Sequence, residues 1–246
     1  MTQSTPTANS APIAVLVHGA FADGSSWAGV VAALQAAGVR VQAPANPLRG
    51  LATDALYLAS LVTQIPGPVV LVGHSYGGAV ISTAAVHAAN VVGLVYVCAF
   101  IQDEGETLQE LAAQATDSTL GPALRPVQYA TGEAGATGTE LSVDPASFPA
   151  IFAADLPAEQ AAVLAASQRP VSATVFGEVS GPIAWKTLPS WAIVSPSDLA
   201  VGAGIERTMA ERAKATIVEI DGSHLLMISH AQEVADVILT ALAAIG

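Results

Sequence analysis

The stretch VVLVGHSYGG, residues 69–78, places a serine between glycines directly after a run of apolar residues. The Ala-rich stretch AVISTAAVHAA, residues 79–89, follows with spacing typical of a helix. A serine between a strand end and a helix start lies in a sharp turn, so its neighbours two positions away need almost no side chain. Gly73 and Gly77 meet that need. The pattern predicts a strand–turn–helix unit that presents the Ser75 hydroxyl at the carboxyl edge of a sheet, where ligands bind in open α/β sheets.

The rest of the chain alternates between two kinds of apolar segment. Short runs typical of buried parallel strands occur at residues 13–17, 39–42, 69–72, 91–97, 191–194 and 216–220. Stretches with helical spacing lie between them at residues 27–37, 53–65, 77–89, 203–213 and 231–245. This alternation predicts an α/β fold, with a mainly parallel central sheet and helices on both of its faces.

The alternation stops between residues 102 and 186, which we call the cap segment. It is too long for a simple loop, carries several prolines and the Gly-rich patch ATGEAGATGTE, and is expected to form a small cap over one sheet edge. Short helices are expected within it at residues 106–115, 145–154 and 157–167. The α/β core then comprises residues 12–101 and 187–246, and residues 1–11 are expected to be a disordered tail.

Composition excludes several functional classes. The 246 residues include 8 Lys+Arg against 20 Asp+Glu, a net charge of −12, which disfavours nucleic acid and anionic membranes as partners. The single cysteine, Cys98, excludes an internal disulfide and a Cys-based zinc site. The apolar runs are shorter than the roughly 20 residues of a membrane span, and the first residues lack the pattern of a secretory signal. We therefore expect a cytoplasmic protein; the sequence does not fix its oligomeric state, and a monomer or a homodimer is expected.

Ser75 is predicted to be a nucleophile, because a phosphate-binding turn would need a lysine or dinucleotide-type glycine spacing that this stretch lacks. A nucleophilic serine needs a base and a group that orients the base. His224, in DGSH after the last predicted strand, and Asp198, in SPSD after the strand before it, both fall at the sheet edge of Ser75. The chain order Ser75, Asp198, His224 is the order expected for this architecture.

Two other carboxylates compete with Asp198 for the role of triad acid. Asp103 follows the strand at residues 91–97, at the same sheet edge. Asp221 is close to His224 in sequence but needs an awkward turn to reach its ring. Asp198 is the preferred acid, and Asp103 remains the alternative.

Backbone amides are expected to hold the negative charge that develops on the substrate oxygen. The first strand ends in His18-Gly19-Ala20-Phe21, a turn predicted to lie beside Ser75. The predicted donors are the amides of Ala20 and Tyr76, with Phe21 as a further candidate. His18 is expected to hold this turn together through hydrogen bonds.

The chain as a whole resembles the α/β-hydrolase superfamily. It is most similar to the small bacterial hydrolases related to plant methylesterases and hydroxynitrile lyases. The matching stretches are VLVHGAFADGSSW (15–27), VVLVGHSYGGAV (69–80), LVYVCAFIQDEGE (94–106) and GSHLLMISHAQEVADVI (222–238). The resemblance implies hydrolysis of carboxylic esters by a Ser-His-Asp triad, with no cofactor or metal, beneath a cap that encloses a mainly apolar pocket.

Two departures separate the chain from the hydroxynitrile lyase branch. That branch carries a lysine close after the catalytic histidine, where this chain has Leu225, and its first strand ends in a His-Thr type motif rather than His18-Gly19-Ala20. Both favour an esterase over a lyase. A third departure concerns the predicted triad acid: Leu199 directly follows Asp198, where relatives often carry a basic residue. A carbon–carbon bond hydrolase, a lactonase, an amidase or a cofactor-free haloperoxidase-like enzyme would use the same triad, and a catalytically dead binding protein is the alternative outside catalysis.

Large apolar side chains of the cap segment and the sheet edge are expected to line the substrate pocket. By position these are Phe21, Tyr76, Phe100, Phe152, Phe176, Trp185 and Leu225. The arginines and lysines are scattered along the chain rather than clustered near this edge, so the expected partner is a neutral small-molecule ester.

Overall fold

The computed structural model describes residues 11–132 and 135–246. Of the tail expected at residues 1–11, all but the last residue lies outside this part of the chain. None of the helices it describes is long and apolar enough to cross a membrane.

The strands form two separate sheets. In chain order the described strands are β1 Ile13–Val17, β2 Val41–Gln42, β3 Val69–His74, β4 Val91–Val97, β5 Leu124–Ala130, β6 Thr137–Val143, β7 Val171–Ser172, β8 Ser190–Val194 and β9 Thr216–Glu219. The main sheet has the order β2-β1-β3-β4-β8-β9, and every pair in it is parallel. The predicted α/β fold with a parallel central sheet is therefore confirmed, and each strand expected from an apolar run is present.

Helices flank this sheet. The described α-helices are α1 Ala28–Ala36, α2 Leu51–Val62, α3 Tyr76–Ala84, α4 Leu108–Ala112, α5 Leu120–Ala123, α6 Phe148–Phe152, α7 Ala158–Ala166, α8 Thr174–Gly177, α9 Ala203–Arg212, α10 Leu226–Ser229 and α11 Ala231–Ile245. Helix α3 packs on β1, β3 and β4, while α11 packs on β4, β8 and α1. The helix expected at residues 77–89 ends at Ala84 and continues only as a short 3-10 turn, Ala85–His87.

The main sheet has a dry interior because its central strands are apolar on both faces. Every residue of β1, β3 and β8 is buried. In contrast, β2 starts two residues later than predicted and is partly exposed, as befits a short edge strand. The burial of β3 and β4 fixes the point from which the Ser75 turn leaves the sheet.

The cap segment lies in sequence between β4 and β8 and contains α4 to α8 with an antiparallel sheet of order β5-β6-β7. The three helices expected there are present but shorter, as α4, α6 and α7. The β5–β6 hairpin was not predicted from the sequence. Strand β5, LRPVQYA, includes Pro126 and is mostly exposed, so it shows no apolar alternation that would mark a strand.

Candidate active site

Ser75 occupies the turn between β3 and α3 in a strained backbone conformation, φ 53° and ψ −123°. A non-glycine residue in such a conformation costs about 1–3 kcal/mol and persists only where its surroundings hold it. Here the Ser75 amide donates to the Val97 carbonyl at 3.2 Å, and the Ser75 carbonyl accepts from the amides of Gly78 at 3.0 Å and Phe100 at 3.2 Å. The ends of β3 and β4 therefore fix the serine backbone.

The glycines around Ser75 are required by space. A Cβ on Gly73 would lie 2.5 Å from the Gly77 carbonyl oxygen, and one on Gly77 would lie 2.4 Å from the Val17 carbonyl oxygen. Neither neighbour can move, because each is main chain of the turn or of β1. The sequence argument for a tight turn thus has a direct steric basis.

His224 and Asp198 form a buried hydrogen-bonded pair. The imidazole Nδ1 lies 2.6 Å from Asp198 Oδ2, and both side chains are fully shielded from solvent. Asp198 Oδ1 accepts the amides of Ala200 at 2.7 Å and Val201 at 3.0 Å, which hold the carboxylate in the loop after β8.

The competing carboxylates lie elsewhere. Asp103 is partly exposed, and its Oδ1 lies 2.6 Å from Lys186 Nζ. Asp221 accepts a hydrogen bond from the Ser197 hydroxyl at 2.7 Å. Of the three candidates, Asp198 is the carboxylate that meets the His224 ring, and the alternative acid Asp103 is not supported by the geometry.

The charge of this pair is localised on Asp198. Burial alone would raise the pKa of Asp198, but the charge interaction and hydrogen bond with His224, followed by the neighbouring Glu206 carboxyl and the Ala200 amide, outweigh it and lower the pKa below its ordinary value of 3.8. With Asp198 ionised, Nδ1 of His224 is the ring nitrogen that carries a proton. Nε2 is then the acceptor, and among the described residues it has no hydrogen-bond partner.

Several contacts bring the His224 loop to the Ser75 turn. The Nε2 of His74 lies 2.9 Å from the His224 carbonyl oxygen, and the two rings are 4.5 Å apart between centroids. Burial, followed by the proximity of His224, keeps the pKa of His74 well below its ordinary value of 6.5, so its ring is neutral. His74 therefore donates to the His224 main chain.

The turn at the end of β1 lies against Ser75. A Cβ on Gly19 would be 2.7 Å from the Ser75 Cβ. His18 supports this turn, since its Nε2 accepts the Asn46 amide at 2.9 Å and its carbonyl accepts from the Asn46 side chain at 3.0 Å. Sequence reasoning identified the turn but gave no signal for Asn46.

The three amides predicted to face a substrate oxygen differ in their partners. The Phe21 amide donates to the Arg169 carbonyl at 3.1 Å, so it is already engaged. Tyr76 is the first residue of α3, and the amides of a first helical turn have no acceptor within the helix. Among the described residues the Ala20 amide makes no main-chain hydrogen bond outside helices and strands either. Ala20 and Tyr76 are therefore the amides that remain available.

The cap segment holds the residues on both sides of His224. The Phe152 carbonyl accepts from the Leu225 amide at 3.0 Å and lies 2.8 Å from the Ser223 hydroxyl oxygen, and the Phe152 ring packs edge-on against the His224 ring at 5.0 Å. Asp155 accepts the Ser223 amide at 3.0 Å and also the Ser223 hydroxyl. Nothing in the sequence marks Asp155 for this position, since it lies 68 residues from Ser223.

The side chain of Tyr76 binds helix α2 and does not line a cavity beside Ser75. Its hydroxyl donates to Asp54 Oδ2 on α2 at 2.8 Å, and both side chains are buried. Burial, then the charge of Asp54, raises the pKa of Tyr76 well above 10.0. The predicted pocket residue Tyr76 thus anchors the start of α3 to α2.

Two cavities flank the Ser75 turn. One, of about 30 Å³, is lined by Phe21, Phe152 and Leu225 together with Ala20. The other, of about 440 Å³, is lined mainly by apolar residues that include Phe100, Phe176, Leu120 and Leu141. Ser75 and His224 line neither cavity, and Ser75 is 8% exposed.

The predicted pocket residues thus divide between two cavities, with two exceptions. Tyr76 and Trp185 line neither of them. The Trp185 indole N–H donates to the Gln102 carbonyl at 2.8 Å, so this side chain fixes the start of the cap segment.

One cluster in the described chain has the residue types of a metal site. Single ligand atoms of Cys98, Asp198 and Glu206 lie within 4.8 Å of one another, all three buried. Burial, then the neighbouring carboxyl groups of Glu206 and Asp198, raises the pKa of Cys98 well above 9.0. With the thiol protonated, the three groups can form hydrogen bonds among themselves, whereas metal binding would require the thiol and both carboxyls to lose their protons.

Comparison with known proteins identifies the family. The model of the alpha/beta hydrolase family matches residues 14–237, nearly the whole chain. The chain therefore belongs to the alpha/beta hydrolase family, as its fold and the Ser75 turn indicated.

Among curated proteins, the carbendazim hydrolyzing esterase of Nocardioides sp. (strain SG-4G) is 36% identical over 114 residues. The matched stretch is 41% of this chain and 47% of that relative, so it spans about half of the relative's length.

Solved structures of two esterases and of a hydrolase share the fold over almost the whole chain. Polyneuridine aldehyde esterase has a TM-score of 0.79 at 20% identity, covering 94% of this chain and 99% of its own. A pyrethroid hydrolase from Sphingobium faniae JZ-2 has 0.77 at 23%, covering 95% and 98%. A methylesterase from Arabidopsis has 0.76 at 18%, covering 94% and 99%. At these identities the likeness shows the common fold.

Proposed function

We propose that this chain is a serine hydrolase that cleaves carboxylic esters of small, mainly apolar and neutral substrates through an acyl-enzyme. The observation that carries the proposal is the buried His224–Asp198 pair, whose Nε2 has no partner among the described residues and whose loop contacts His74, the neighbour of Ser75 in its strained strand–helix turn. The name of the curated relative, an esterase, supports the same reaction class.

In the proposed mechanism the Ser75 hydroxyl attacks the ester carbonyl carbon while His224 Nε2 takes its proton. The oxygen of the tetrahedral intermediate becomes negative and is held by the amides of Ala20 and Tyr76, at the positive end of α3. When the intermediate collapses, the carbon–oxygen bond to the alcohol breaks and His224 returns the proton to the leaving alcohol.

Deacylation follows the same path with water as the nucleophile. His224 takes a proton from the water that attacks the acyl carbon, and the Ser75 oxygen leaves with that proton. The step releases the carboxylic acid and regenerates the Ser75 hydroxyl. Asp198 keeps the imidazole in the tautomer that both steps need and stabilises its cationic form.

The cavities support a neutral substrate with unequal parts. The smaller cavity holds about one water-sized group, whereas the larger lies in the 300–1,000 Å³ range of ordinary ligand sites. Because Ser75 and His224 line neither cavity, we propose that side chains around Ser75 move when an ester binds.

The hydroxynitrile lyase alternative has less support. Leu225 follows His224 directly and lines the smaller cavity, so an apolar group stands where the lyase branch carries a lysine. Lys186 of the cap segment does not replace that lysine, because its ammonium group forms an ion pair with Asp103.

Turnover of p-nitrophenyl acetate and p-nitrophenyl butyrate by wild type and Ser75→Ala tests the proposal. We expect hydrolysis by the wild type and a loss of at least about a thousandfold in the variant. Faster turnover of a negatively charged acyl ester than of the neutral ones would contradict the substrate class. Cleavage of mandelonitrile with no ester hydrolysis would overturn the esterase assignment. Carbendazim is a suitable further substrate because the curated relative is named for it. A pyrethroid ester is another, because a protein of the same fold is named for such compounds.

A further inference from the structure

Glu206 on α9 is a buried carboxyl that the proposed mechanism does not use. It is 2% exposed, and it lies in one cluster with Asp198 and the Cys98 thiol, each contributing an atom within 4.8 Å of the others. Two carboxyl groups this close in a dry interior cannot both be ionised at ordinary cost. One of them must hold a proton.

The hydrogen-bond donors show which carboxyl is ionised. Asp198 accepts three, from His224 Nδ1 and from the amides of Ala200 and Val201. Glu206 accepts one, from the Ser195 amide to Oε2 at 3.3 Å, while its Oε1 receives none from the described residues. Donors stabilise the charged form of a carboxyl, so Asp198 is the anion and Glu206 the acid.

The other charges that face Glu206 act in the same direction. Asp117 approaches from the cap segment, and its Oδ2 accepts the Gly204 amide at 3.1 Å. The arginines of α9 are committed to other carboxylates, Arg207 to Glu219 and Arg212 to Glu106. Burial, then the charge of the nearby Asp198 carboxylate, raises the pKa of Glu206 well above 4.5.

We propose that Glu206 carries a proton and donates it in a hydrogen bond to the Asp198 carboxylate, which makes Glu206 a positioning residue for the triad acid. The pair then bears one negative charge, and Asp198 is held by donors on its far side as well as by His224. This inference rests on the proposed triad, because a positioning residue matters only if Asp198 orients a catalytic base.

A metal ion at the same three residues is the competing occupant. It would require the thiol and both carboxyls to be deprotonated, and Asp198 would then divide its oxygens between the metal, His224 and two amides. The donor pattern favours the proton, and metal analysis separates the two.

The test compares Glu206→Gln and Glu206→Ala in the full chain, with the exposed Glu211→Gln on the same helix as the matched control. A glutamine amide can donate to Asp198 as the protonated acid does, so E206Q should retain kcat for p-nitrophenyl butyrate within about threefold. E206A removes the donor and should lower kcat about tenfold or more, with KM little changed. E211Q should behave as the wild type.

A second arm measures urea unfolding between pH 5 and 9. Because the folded pKa of Glu206 is raised above 4.5, its contribution to stability is full below that value and is lost as the pH rises. The unfolding equilibrium constant of the wild type, relative to E206Q, should therefore grow by up to about tenfold per pH unit over this range. This arm needs neither activity nor a folded E206A.

Agreement in both arms supports the proposal. A wild type and E206Q with the same pH dependence of unfolding would overturn the proton on Glu206, and E206A at wild-type kcat would overturn its positioning role. Stoichiometric metal in the purified protein that disappears in E206Q would assign the cluster to a cation instead. If the wild type hydrolyses no ester, the proposed function fails while the unfolding arm still decides where the proton lies.

Discussion

Asp198→Asn is the substitution whose effect follows most directly from the structure. Asp198 Oδ1 accepts two main-chain amides, at 2.7 and 3.0 Å, so the asparagine must place its carbonyl oxygen there. Its amide group then takes the position of Oδ2, 2.6 Å from His224 Nδ1 in the wild type. Two donors cannot face each other, so the imidazole must turn its proton to Nε2.

An imidazole with its proton on Nε2 cannot accept the Ser75 proton. We expect kcat to fall by about 10³–10⁴-fold, equivalent to about 4–5 kcal/mol in the activation barrier, because the base is held in the wrong tautomer. KM should change little, since neither cavity is lined by Asp198. Thermal unfolding should show that the variant is folded.

The assay is steady-state hydrolysis of p-nitrophenyl butyrate near neutral pH, with Asp103→Asn as the matched control. Asp103 is the other carboxylate predicted as triad acid, and it binds Lys186 near the surface. D103N should retain wild-type kcat. A D198N variant within tenfold of wild type, or a D103N variant that loses activity instead, would refute the triad assignment.

Four further outcomes are expected. Gly77→Ala should lower the free energy of unfolding by at least about 2 kcal/mol, because the added Cβ would lie 2.4 Å from the fixed Val17 carbonyl oxygen. The control Gly121→Ala places its Cβ in open space and should change this free energy by less than about 1 kcal/mol. Urea denaturation measures both variants, and equal losses would contradict the predicted clash at Gly77. Tyr76→Phe should cost about 1–3 kcal/mol in the same assay, because buried Asp54 loses its hydroxyl donor and keeps only the Arg49 amide. The kcat should change less than tenfold because the Tyr76 amide remains, and a larger loss would mean that the hydroxyl is catalytic. Asp155→Asn should lower kcat by about tenfold through a looser His224 loop, and unchanged kcat would show that the cap contact is dispensable. His74 is neutral in the fold with a pKa well below 6.5, so its contribution to stability is full above that pH, and relative to His74→Asn the wild type should lose up to about 1.4 kcal/mol per pH unit as the pH drops below it. The same pH dependence of unfolding for wild type and H74N between pH 7 and 5 would argue against a buried neutral imidazole.

The parts of the structure that the sequence predicted are those set by local constraints. Strands β1, β3, β4 and β8 are apolar on both faces, which gives a readable run of residues. The Ser75 turn needs glycines at fixed spacing, and a Cβ at Gly73 or Gly77 would strike main-chain atoms.

The parts that the sequence did not predict depend on contacts between distant residues. Asp155 and Ser223 are 68 positions apart, and the Tyr76 hydroxyl finds Asp54 on another helix, so no spacing rule connects them. The β5–β6 hairpin of the cap segment lacks a buried face of its own and therefore shows no period-two pattern. The sequence predicts only that Glu206 lies on a helix. Its burial could not be predicted, because it depends on the loops that pack around α9.

Labelling with a fluorophosphonate probe, followed by peptide mass spectrometry, shows whether Ser75 is the activated nucleophile. A hydroxyl activated by His224 should react to give one adduct per chain, located on Ser75, and the reaction should slow by orders of magnitude in His224→Ala while the fold is retained. An adduct on a different residue, or a folded wild type that stays unlabelled, would show that Ser75 is not a nucleophile activated by His224.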